Sequence, residues 1–199
     1  MGIACRFSIG AETFDLKQVA IPLVAHIPRE SLQFNIFQGG IMQEFDEHLL
    51  RAAISLARKA RQKGNHPFGA VLADNQGNLL LEAENTVNTA RDCTGHAETN
   101  LMRKASQIYD RDFLVNCTLY TSTEPCAMCS GAIYWGNVGR VVYALSEATL
   151  VQMAASDPEN PTLSLPCREV FARGTHQIQV DGPALEEEAA QVHEGFWES

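Results

Sequence analysis

The sequence of 199 residues predicts an α/β fold in three layers, α/β/α, around a mixed five-stranded sheet. Three observations lead there. Short apolar β-type runs alternate with stretches of helical spacing. An Asx/Gly cluster joins the first two runs as an antiparallel hairpin. The next two runs are each reached through a helix, so they pair in parallel with right-handed crossovers. The composition, 45% hydrophobic and 20% charged, supplies a buried core without disulfide staples and is not that of a disordered chain.

The first strong signal opens at Met42. Apolar residues then fall at Phe45, Leu49, Ala52 or Ala53, and Leu56, with Arg51, Arg58 and Lys59 among the polar positions, which is amphipathic helical spacing. Lys63 and Gly64 supply a basic last turn and a left-handed cap, so the helix stops near 63. Runs 68–73 and 79–83 flank Asp74-Asn75-Gln76-Gly77-Asn78 and form the hairpin. A helix follows over about 95–109, with Leu101, Ala105 and Ile108 on one face. Strand 117–122, helix 126–135, strand 140–145 and helix 147–154 come next. After a loop punctuated by Pro158, Pro161 and Pro166, a strand at 176–180 and a helix over about 183–195 close the chain.

Residues 1–41 carry no clean period and are expected to be an irregular N-terminal extension, dispensable for chemistry and even absent from the cellular product if Met42 is the start; 42–199 is the working domain. No apolar run approaches the ~18–20 residues that a membrane span needs. The stretch 19–27 is broken by Pro22 and His26 and follows Glu12 and Asp15, which makes a poor signal peptide. A cytoplasmic protein with no membrane partner is expected. Fifteen Lys and Arg against twenty-four Asp and Glu give a net charge of −9, which repels phosphate backbones and argues against a nucleic-acid partner. The acid crowded at Glu186, Glu187, Glu188, Glu194 and Glu198 reads as a solvated helix face.

Two short segments carry the chemistry. His96-Ala97-Glu98 opens one helix, and Pro125-Cys126-Ala127-Met128-Cys129 opens another; both helices follow β segments, where open α/β folds gather ligands. Cys126 and Cys129, three apart at a helix N-terminus, point their sulfurs one way, and the helix dipole favours the metal-binding thiolate. His96 adds a nitrogen. Three protein ligands leave a tetrahedral zinc with one open position for water, whose pKa zinc lowers to roughly 7. Glu98, in the first turn, can take a proton from that water and hand it to a ring nitrogen and a departing amine, which is hydrolytic deamination of an amino-substituted heterocycle. Two other readings of the cysteines stand beside this one: a redox pair, and a closed structural zinc whose fourth ligand is Cys93 or His66. Simple burial is expected for Cys5, Cys93, Cys117 and Cys167.

His96-Ala97-Glu98 followed by Pro125-Cys126-x-x-Cys129 resembles the signature of the zinc-dependent cytidine deaminase-like superfamily. The resemblance spans about residues 45–150 and implies a zinc cofactor on His96, Cys126 and Cys129, Glu98 as proton shuttle, and a homodimer. Pro67-Phe68-Gly69-Ala70-Val71, Glu124-Pro125-Cys126 and Gly131-Ala132-Ile133-Tyr134-Trp135 are similar to bacterial guanine deaminases and their nucleoside-deaminase relatives. That branch implies a small purine base or nucleoside as substrate, guanine-type first, with tRNA adenosine and cytosine-type substrates as alternatives. It also places a base-binding Asn at Asn85, where a strand-end turn residue is the plainer reading. Phe68 and Trp135 are candidate apolar walls for a flat ring, Phe68 equally a core residue, and His66 is a loop or pocket residue. Phe196 and Trp197 either pack or close an active site, this chain's or a neighbour's. A zinc module that binds a partner without catalysis is the rival of another class.

Overall fold

The computed structural model describes residues 44–154 and 163–197. The N-terminal segment 1–41, its boundary at Met42, Cys5, Pro158 and Pro161 lie outside the described residues. The elements run α1 (Glu44–Gln62), β1 (Gly69–Ala73), β2 (Leu79–Glu84), α2 (Val87–Ala90), α3 (Ala97–Ile108), α4 (Arg111–Leu114), β3 (Thr118–Thr123), α5 (Ala127–Gly136), β4 (Arg140–Leu145), α6 (Glu147–Ala154), α7 (Cys167–Phe171), β5 (Gln179–Asp181) and α8 (Glu186–Ala190).

The sheet is mixed, in the order β2-β1-β3-β4-β5. β1 pairs antiparallel with β2 and with β3, and β3-β4 and β4-β5 are parallel. The alternation of side chains along each strand builds the three layers. Ala70, Leu72, Leu119, Val141 and Tyr143 face α3, α5 and α7, meeting Leu101, Ala105, Ile133 and Phe171. Val71, Ala73, Tyr120, Val142 and Ala144 face the other way, onto Leu50, Ile54 and Ala57 of α1 and Ala189 of α8. Burial on both faces is why β1 and β4 read as near-continuous apolar runs, whereas β3, equally buried, carries Thr118, Thr121, Ser122 and Thr123.

Gly64, at φ +82°, ends α1 in the left-handed turn that its basic last turn foretold. Gly69 answers a different need. A Cβ there would lie 2.4 Å from the Ala53 carbonyl oxygen and 2.5 Å from Leu56 Cβ, so only glycine lets α1 press this closely on the start of β1. The Gly69 N–H donates to Ser122 Oγ at 3.1 Å, tying the hairpin to β3.

Three expectations need correction. Ile108 is 60% exposed, because α3 ends there and the buried face stops at Ala105. The closing helix is a short α8, entered through Leu185 at φ 58° and followed by turns rather than helix to residue 195. Cys93 is exposed, not buried: it sits in the turn between α2 and α3.

Candidate active site

His96 and Cys126 occupy equivalent places. Each is the N-cap residue of its helix, in extended conformation, with a carbonyl that accepts the first helical bond: from Asn100 N–H for His96 and from Ser130 N–H for Cys126, both at 2.8 Å. Neither side chain caps its own helix. Both turn instead to a common point, with Cys129 from the first turn of α5. His96 Nδ1 lies 3.6 Å from Cys126 Sγ and 3.6 Å from Cys129 Sγ. The three ligand atoms lie within 4.8 Å of one another, the one such convergence of His, Cys, Asp or Glu among the described residues. Bonds of ~2.3 Å to sulfur and ~2.0–2.1 Å to nitrogen at a tetrahedral angle separate the ligand atoms by about 3.6 Å, so the set fits zinc. Cys93 and His66 stay outside the cluster, so the described residues supply three protein ligands and not four.

Glu98 enters from the second position of α3 and is buried. Thr121 Oγ1 donates to its Oε1 at 2.9 Å, and Cys129 Sγ to its Oε2 at 3.5 Å. Burial first, then the charge of Cys126, lifts this carboxyl above the usual range. The thiols divide. A hydrogen bond from Cys129 pulls Cys126 down to about 4, and the donor Cys129 is pushed up. The bond to Cys126 raises His96.

The cluster opens into a cleft of about 350 Å³. His96, Glu98 and Cys126 form its floor. Phe68, Met128, Leu150, Ala154, Leu163 and Trp197 supply apolar walls, with His66 and Cys93 at the side and Thr123, Glu124 and Glu147 as further polar lining. Phe68 therefore serves both of its readings, since it also packs against the core. The C-terminal segment reaches this chain's own cleft. Trp197, 5% exposed, stacks on His193 at 6.0 Å and 13°, and both pack against Phe68. Arg61 fastens the segment by donating to the Val192 carbonyl oxygen at 2.7 Å, with its guanidinium over the Phe196 ring.

Two candidate residues are not on the cleft wall. Trp135 is 74% exposed at the far end of α5, beside Tyr109 and Arg111, a whole helix length from the ligands at its start. Asn85 is fully buried, and its backbone N–H donates to the Phe68 carbonyl at 3.0 Å. Its Oδ1 accepts from Val87 N–H at 3.0 Å, while its Nδ2 is buried without an acceptor among the described residues.

The sequence reading gave no role to Glu124 or Glu147. Glu124 is buried, and its carboxylate takes the Glu147 N–H at 3.1 Å and the Cys167 N–H at 3.0 Å, pinning the starts of α6 and α7 together. Glu147 is pushed up to about 7, by burial first and then by the like charges of Cys126, Glu124 and Glu98. The position of Glu147 directly after β4, at the head of a helix, was the available signal.

The family described as cytidine and deoxycytidylate deaminase zinc-binding region matches residues 43–145. This chain belongs to it. Among deaminases with curated names, a probable cytosine deaminase of Schizosaccharomyces pombe is 41% identical over 157 residues, which is 79% of this chain and 95% of that protein. The guanine deaminase of Bacillus subtilis is 39% identical over 112 residues, 56% of this chain and 71% of that protein. Among solved structures, one from a study of tRNA:A34 deaminases has a TM-score of 0.57 at 26% identity, covering 73% of this chain and 99% of that one. The mixed open sheet of this deaminase-family chain is the one its relatives share.

Proposed function

We propose that this protein is a zinc-dependent aminohydrolase that releases ammonia from a small amino-substituted purine base or nucleoside, guanine-type first. The observation that carries the reading is the placement of Glu98: a buried carboxyl within 3.5 Å of Cys129 Sγ, lining the same cleft as His96 and Cys126. His96, Cys126 and Cys129 hold the zinc, which when bound acts as a Lewis acid that brings water toward deprotonation at neutral pH.

The remaining steps belong to the chain. Thr121 orients Glu98 through the bond to Oε1. Glu98 accepts a proton as water adds to the ring carbon bearing the amine and gives it to a ring nitrogen. It then takes the proton of the hydroxyl now on that carbon and passes it to the amine nitrogen, which leaves as ammonia as the C–N bond breaks and the carbonyl forms. A carboxyl lifted by burial suits both directions of transfer. In this reading Asn85, buried in this structure and outside the cleft lining, becomes the base-binding amide when the entering ring opens the cleft to its Nδ2. A buried amide donor without a partner costs ~1–3 kcal/mol, and an acceptor on the ring would remove that cost. Phe68 and Trp197 cover the ring faces.

A cytosine-type substrate is the second reading, favoured by the fission-yeast relative, nearly all of whose length is matched. A tRNA substrate is disfavoured by the net charge of −9 and by the absence of Lys and Arg from the described cleft lining. Zinc stoichiometry with an ammonia-release screen over guanine, guanosine, adenine, cytosine and cytidine tests the proposal. One zinc per chain and turnover of guanine or guanosine are expected. Zinc without turnover of any of the five supports the non-catalytic module instead.

A further inference from the structure

We infer that Glu147 selects the substrate of this cleft: its carboxylate accepts an N–H of the bound heterocycle and turns away phosphate-bearing analogues. The inference rests on the deaminase reading for the identity of the heterocycle, and on the cleft itself for the rest.

Among the described residues three carboxylates line the cleft, and two are committed. Glu98 is held by Thr121 and Cys129. Both Glu124 oxygens are engaged by backbone N–H groups. The Glu147 carboxylate is half-buried and has no hydrogen-bond or ion-pair partner among the described residues. Its backbone is nonetheless fixed. Its N–H is bonded to Glu124 Oε2, and it stands just beyond the C-terminal end of β4, where the parallel neighbour β3 runs into the metal-ligand helix through the pairing of Thr123 with Leu145. An uncommitted acceptor fixed at the carboxyl ends of adjacent parallel strands, beside large apolar walls, is how pockets of this size orient a small ligand. A ring N–H donated to it also favours its ionised form. The described lining carries no Lys or Arg to offset that charge, so a phosphate would be repelled at short range.

Charge-assisted hydrogen bonds are worth ~1.5–3 kcal/mol, which corresponds to a ~10–150-fold change in affinity. The experiment measures binding of guanine and of guanosine 5′-monophosphate by calorimetry, and ammonia release from guanine, for the zinc-loaded full chain and for its Glu147→Gln and Glu147→Ala variants. The side chain holds nothing else in place, so melting temperature and zinc content should be unchanged. Both variants should bind guanine ~10–150-fold more weakly and bind the monophosphate as well as or better than the parent. Parental affinities in both variants overturn the proposal, as does tighter binding of the monophosphate than of guanine by the parent. If the parent releases no ammonia but its guanine binding still depends on Glu147, the deaminase reading fails and the recognition role stands. Normal turnover by the parent with unaltered KM in both variants is the converse. A parent that neither binds nor converts guanine refutes both.

Discussion

The floor and the rim of the cleft are built by different logics. The floor comes from two helix starts, in which every functional group lies within three residues of a cap: His96 and Glu98 on α3, Cys126 and Cys129 on α5. The rim comes from pieces far apart in the chain, with His66 and Phe68 after α1 meeting His193, Phe196 and Trp197 after α8. Local helix geometry dictates the first arrangement. Only the completed fold produces the second. The floor should therefore govern chemistry in an all-or-none way, and the rim should grade binding and stability.

The harshest test of that division is removal of a ligand. Cys126→Ala should lose zinc and activity together, whereas Cys93→Ala, at the exposed side of the cleft, should keep one zinc per chain by metal analysis. A Cys93 variant emptied of zinc would make the floor larger than three ligands. Next in size, Glu98→Gln should keep fold and zinc while turnover drops ~10²–10⁴-fold in an ammonia-release assay. At the rim, Trp197→Ala should leave zinc untouched and raise KM about tenfold, as expected for losing one aromatic wall worth ~1.5 kcal/mol. Loss of kcat instead would erase the distinction between rim and floor.

The rim's stability, as distinct from its binding, is tested by a pH dependence. Burial, and secondarily the Arg61 charge, holds His193 down to about 4. The unfolded chain, with an ordinary histidine near 6.5, binds more protons in that interval, so stability should fall as the pH drops from about 6.5 toward 4, by up to about 3 kcal/mol. Melting curves at pH 7, 6 and 5 read it, and His193→Leu should flatten the slope.

The floor was legible in the sequence because its information is short-range: the spacing of Cys126 and Cys129, and of His96 and Glu98, is fixed by the helix itself. The strands were legible for the same reason, and the hairpin follows the Asp74–Asn78 cluster, where Asp74 Oδ1 accepts two backbone N–H groups. Trp135 shows where that reasoning stops. It shares a helix with Cys126, yet ten residues of α5 carry it to an exposed end, and no local pattern says which end of a helix meets a cleft. Glu124 and Glu147 were given no role because their meaning lies in a bond across two strand ends. The short helices α2, α4 and α7, of four or five residues each, are too brief to show a period.

The two tryptophans give the molecule a pair of natural optical reporters. Trp135, 74% exposed, emits from water and is open to a soluble quencher such as iodide; Trp197, 5% exposed and stacked on a histidine, emits from an apolar wall and is far less open to it. A ligand that fills the cleft changes the surroundings of one lamp and leaves the other as an internal reference. Occupancy can thus be followed by intensity ratio in the unlabelled protein, before any substrate has been identified.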